Sequence, residues 1–173
     1  MKKNVILSAS AIIMQVFRVL IALIASLQIL IFIGSLLNNH SLEKLIIQSQ
    51  ELVSNQSGLS IIDLTTISPW LAFFIVLQNI TVLVLLFNIL GYGIDIVKNI
   101  HSLKTFTKDN ISAFYKISQL SVLLVIIKFI KLSPDKIGVG IEFNYVFFAF
   151  GAIILTQVFK EGHRLLQDNE LTI

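Results

Sequence analysis

The chain has no cysteine among its 173 residues. That excludes disulfides, thiolate metal sites, a lipoprotein anchor and any cysteine nucleophile. Charge is also scarce. Asp, Glu, Lys and Arg make up 13% of the residues, against about 25% in a typical soluble domain. So few polar groups do not cover the surface of a water-soluble fold this apolar. A Gly-rich phosphate loop, a nucleophile elbow and paired carboxylates in an apolar setting are all missing. Enzymatic chemistry is therefore not expected, and no catalytic, cofactor or metal site is predicted. His40, His101 and His163 lack a partner at ligand spacing and read as flanking polar residues. The basic residues are few and scattered, which speaks against direct nucleic-acid binding.

What the chain does have is long apolar runs. Hydrophobic residues account for 55% of the sequence, and the mean hydropathy is +0.87. About 20 apolar residues in a helix cross the roughly 30 Å of bilayer hydrocarbon. Irregular backbone cannot face lipid, so each such run is expected to be helical. Four runs qualify, over about 11–37, 69–93, 111–132 and 141–160. The strongest part of the first is Val19–Leu37, with an apolar extension back to Val5. It reads as an uncleaved span, being too long for the apolar region of a signal peptide and lacking a cleavage site. Pro69 suits the first turn of the second.

Residues 1–173 are thus expected to form one all-α domain, an integral membrane four-helix bundle. Cytoplasmic flanks carry the excess of Lys and Arg. With the N-terminus inside, nine basic residues fall inside and four outside. This predicts an N-in/C-in membrane protein. An outer loop spans 38–68, with an amphipathic stretch around Leu42–Val53. An inner loop covers 94–110 and a cytoplasmic tail 161–173.

Two features stand out inside this frame. Thr81, Asn88 and Asp95 recur every seven residues on the second span and form a polar stripe. Such a stripe is expected to turn toward other helices, because lipid offers its groups no partners. It would line a pore or an oligomer contact, or hold helices together. The second feature is Phe106-Thr107-Lys108-Asp109-Asn110-Ile111. Thr107 suits an N-cap, with Phe106 and Ile111 at hydrophobic-staple spacing and Asp109 in the first turn. In the tail, Gly162 is expected to weaken the helix where it leaves the membrane. Leu165, Leu166 and Leu171 offer apolar contacts among charged residues.

The run F-T-x-D-N over Phe106–Asn110 and the ending V-F-x-E-G-x-x-L…E-L-T-I over Val158–Ile173 resemble a bacterial family of small four-helix membrane proteins, domain of unknown function 2975. The sequence departs from that pattern at Thr105, where the family often has proline. The resemblance implies no established activity. It implies a membrane partner or sensor for a small cytoplasmic helix-turn-helix regulator. On that reading the candidate partner-binding residues are Phe106, Asp109, Asn110, Glu161, Gly162, Arg164, Leu165 and Leu171. The alternative is a small channel or transporter subunit built as a homo-oligomer around Thr81, Asn88 and Asp95. No ionisable residue lies near mid-membrane, which weighs against active transport.

Overall fold

A computed structural model describes residues 5–37, 68–132 and 137–170. The expected outer loop and its amphipathic stretch, His40 and Leu171 lie outside the described residues. Among the described residues the chain forms four α-helices: α1 (Val5–Leu36), α2 (Pro69–His101), α3 (Lys108–Phe129) and α4 (Phe143–Glu170). Each is long and apolar enough to cross a membrane. At 1.5 Å per residue, α3 is about 33 Å long, close to the hydrocarbon thickness. The 32 residues of α1, 33 of α2 and 28 of α4 exceed it.

The helices pack in chain order, α1 on α2, α2 on α3 and α3 on α4. The core gathers Leu85, Ile89 and Ile96 of α2, Ala113, Ile117 and Leu124 of α3, and Ala152 of α4. Small side chains at Ala113, Ser121 and Ala152 permit close approach, the usual means of helix association in lipid. The buried hydroxyls of Ser121 and Thr156 donate to the carbonyls of Ile117 and Ala152, four residues back. The core thus carries hydroxyls already satisfied by their own helices. By contrast, α1 buries only Gly34. It lies on one side of α2, and between it and α4 runs an apolar groove of about 430 Å³ bordered by Met14, Gly93, Phe114 and Gly151.

The helix boundaries follow local chemistry. Pro69 opens α2 behind Ser68, whose hydroxyl accepts from the Leu71 N–H. At the other end α2 continues to His101, so residues 94–101 of the expected inner loop are helical. Its stop contains no glycine. The N–H of Lys104 reaches the carbonyl of Asn99, and that of Leu103 reaches Ile100. This is the Schellman pattern, with Leu103 in the left-handed position at φ 63°. The expected span 111–132 begins earlier and ends earlier, as α3. Past Phe129 the chain forms a short antiparallel pair, β1 (Ile130–Leu132) with β2 (Ile137–Val139), in register Ile130 to Val139. Gln78 of α2 seals this end of α3. Its Nε2 donates to the carbonyls of Ile127 (2.8 Å) and Ile130 (2.6 Å), which the helix end leaves without intrahelical partners.

Candidate docking site

Successive antiparallel packing brings the start of α1, the end of α2, the start of α3 and the end of α4 to one end of the bundle. The two segments singled out in the sequence meet there. Asn110, in the first turn of α3, is fully buried. Its Nδ2 donates to the carbonyls of Lys104 (2.9 Å) and Thr105 (2.7 Å), and its Oδ1 accepts from Asn99 Nδ2 (2.8 Å). One amide side chain therefore ties the connector 102–107 to both α2 and α3. A buried amide with its polar atoms engaged fixes a loop far better than apolar contact alone, because leaving any of those groups unpaired is costly.

Phe106 joins the connector to α4. Its ring lies 5.4 Å from that of Phe159, which also contacts Phe114 at 4.4 Å. A Cβ at Gly162 would fall 2.5 Å from two atoms of the Phe106 ring. Gly162 is thus a seat for Phe106, and the expected weak point of the tail is not a break: α4 runs unbroken to Glu170. Beside it, His163 Nδ1 lies 2.6 Å from the Phe106 carbonyl oxygen. A carbonyl only accepts, so Nδ1 donates. Thr107 holds the N-cap position of α3 with extended backbone, as its spacing predicts, but its side chain makes no capping bond. Two polar atoms here, Thr107 Oγ1 and His163 Nε2, are buried without a partner.

Around this latch lies a cleft of about 500 Å³ lined by the connector 103–107 with His163, Leu166 and Gln167 of α4. Leu103, 79% exposed, and Leu166 stand at its edge, and Leu165 is exposed beside them. Of the sequence-predicted partner-binding residues, Phe106, Asn110 and Gly162 come together as the latch. Asp109, Glu161, Arg164 and Leu165 are exposed around it. Arg164 reaches Asp168, one turn on, at 4.0 Å, an exposed pair of little energetic weight. Asn99, His163 and Leu103 were not singled out from sequence as site residues. Asn99 lay in an expected loop, and only the tertiary fold pairs it with Asn110.

The polar stripe departs from expectation. Asn88 and Asp95 are exposed and Thr81 half-buried, on the face of α2 turned away from the core. Thr81 Oγ1 and Asn88 Nδ2 donate back to the carbonyls of Leu77 and Val84 on the same helix. The stripe does not turn inward within the chain. Among the described residues no group of three or more His, Asp or Glu side chains converges as a metal site. No family model matches the chain, and comparison with curated proteins and with solved structures found no match.

Proposed function

We propose that this chain is a multi-pass protein of a bacterial plasma membrane, N-in/C-in, and a non-enzymatic docking platform for a small cytoplasmic protein. The observation that carries this reading is Leu103. A leucine occupies the left-handed position that helix stops usually give to glycine. The conformation costs a side-chain-bearing residue on the order of 1–2 kcal/mol, and the side chain gains little burial in return, being 79% exposed. With Leu166 it forms an apolar edge on a cleft whose other lining includes Lys104, Thr105, Thr107, His163 and Gln167. The excess of Lys and Arg at this end supports its cytoplasmic placement. Exposed leucines beside a preformed cleft suit a partner helix with apolar anchors. The resemblance of Phe106–Asn110 and Val158–Ile173 to domain of unknown function 2975 supports a helix-turn-helix regulator as that partner.

Affinity purification of the tagged chain in mild detergent from its native cells, followed by mass spectrometry, tests this. A small helix-turn-helix protein is expected with the intact chain and is expected to be lost from a Leu103→Glu/Leu166→Glu variant that still inserts. Recovery of no such regulator with the intact chain rejects the partner assignment. The channel reading would need the outward stripe of Thr81, Asn88 and Asp95 to meet other copies of the chain, since Thr81 and Asn88 bond only to their own helix within one copy.

A further inference from the structure

The outer face of α2 has a spacing of its own. Phe74, Leu77, Thr81, Val84, Asn88, Gly91, Asp95 and Lys98 follow one another at alternating steps of three and four residues. That alternation is the heptad seam of a left-handed helix pair. Within the chain most of the seam is open: Phe74, Leu77, Val84, Asn88, Asp95 and Lys98 are exposed, Thr81 is half-buried, and only at Gly91 does a side chain of α1, Arg18, reach across it. Its polar members are only partly satisfied. Asn88 Nδ2 spends a hydrogen on the Val84 carbonyl, and in a bilayer the rest of this exposed amide would meet lipid, which offers none of the pairing it needs.

The charges at the inner end of the seam are mixed in a way that suits a like partner. The Arg18 guanidinium of α1 lies over the Phe87 ring at 4.1 Å. It also crosses the seam position at Gly91, where a Cβ would meet it at 3.3 Å. Its Nε is buried without a hydrogen-bond partner. Asp95 follows one turn later and Lys98 next. In two copies lying parallel, seam positions meet their own counterparts, so Asp95 approaches Asp95, and the Lys98 side chains and Arg18 guanidinium groups of both copies lie beside that pair and offset its charge.

We propose that a second copy of this chain covers this face, forming a two-fold symmetric dimer through α2 with Asn88 paired to Asn88 at its centre. A single asparagine in an otherwise apolar seam both drives association in lipid and fixes register, because any slip leaves an amide unpaired. An isologous contact supplies that pairing with no second gene product.

The absence of cysteine makes the test direct. Single-cysteine variants Leu77→Cys and Val84→Cys on the seam, and Ile24→Cys and Ile154→Cys on lipid-facing sides of α1 and α4, are oxidised in native membranes and run without reductant. The seam variants are expected to give a band of twice the chain mass and the controls none. Adding Asn88→Leu to Val84→Cys is expected to reduce the cross-linked fraction about three- to tenfold, while Asn88→Gln largely retains it. Equal cross-linking at all four positions, none at Leu77 and Val84, or no effect of Asn88→Leu overturns the proposal. So does a purified assembly of more than two copies.

Discussion

Gly162 of α4 seats the ring of Phe106 so closely that a Cβ would lie 2.5 Å from its Cδ1 and Cε1 atoms. In an ordinary helix, Gly→Ala stabilises by about 1 kcal/mol. Here the sign is expected to reverse. Gly162→Ala forces the Phe106 ring off its contact with Phe159 and is expected to destabilise by about 1–3 kcal/mol, the range for overpacking. In the Phe106→Ala background the same change is expected to be neutral or favourable. A double-mutant cycle on thermal unfolding in detergent reads the coupling, and additive effects would remove Gly162 from the seat assigned to it.

Asn110 is the polar centre of the latch. Asn110→Ala leaves the Lys104 and Thr105 carbonyls and the Asn99 amide without their buried partner. The expected loss is about 2–4 kcal/mol, and Asn99→Ala, which breaks one of the three bonds, is expected to cost about 1 kcal/mol. Limited proteolysis of the connector 102–107 in membranes gives the second readout. Faster cleavage is expected in Asn110→Ala than in Asn99→Ala.

Leu103 separates stability from docking. Leu103→Gly relieves the left-handed backbone and is expected to stabilise the protein by about 1 kcal/mol. The same substitution is expected to weaken partner recovery. A variant that unfolds later and still binds its partner fully would show that the leucine serves neither the fold nor the site.

Gln78 acts at the opposite end. Gln78→Leu removes the donor shared by the Ile127 and Ile130 carbonyls and is expected to cost about 1–2 kcal/mol. Thr81→Val, whose hydroxyl bonds only to the Leu77 carbonyl of its own helix, is expected to change single-chain stability by less than about 0.5 kcal/mol. Parallel unfolding curves in detergent compare the two.

The four helices were legible because apolar runs long enough to cross a bilayer are expected to satisfy their backbone internally, as helices. Their ends were less legible. The stop at Leu103 carries no glycine, so the sequence His101-Ser102-Leu103-Lys104 gives no sign of a Schellman turn, and the helical residues 94–101 read as loop. Gly162 misled in the opposite direction. Helix propensity marks it as weak, whereas its missing side chain serves Phe106 across the bundle. The pairing of Asn99 with Asn110 was invisible for the same reason, since it follows from where α2 stops. The stripe of Thr81, Asn88 and Asp95 was visible as a pattern. Its direction was not, because back-bonding to α2 satisfies part of its polarity without any neighbouring helix.

The bond from His163 to Phe106 joins residues 57 positions apart, and this separation sets an order of events during synthesis. The connector leaves the ribosome before its glycine seat and histidine donor have been made. Until α4 has been made and has packed on α3, the Phe106 ring and its carbonyl lack the Gly162 seat and the His163 donor. A chain arrested after α3 therefore leaves uncovered the side of Phe106 that packs on Phe159 and Gly162 in the finished protein. Docking of the connector thus reports that the last helix is in place, and protease sensitivity of residues 102–107 is expected to separate full-length chains from chains truncated before α4.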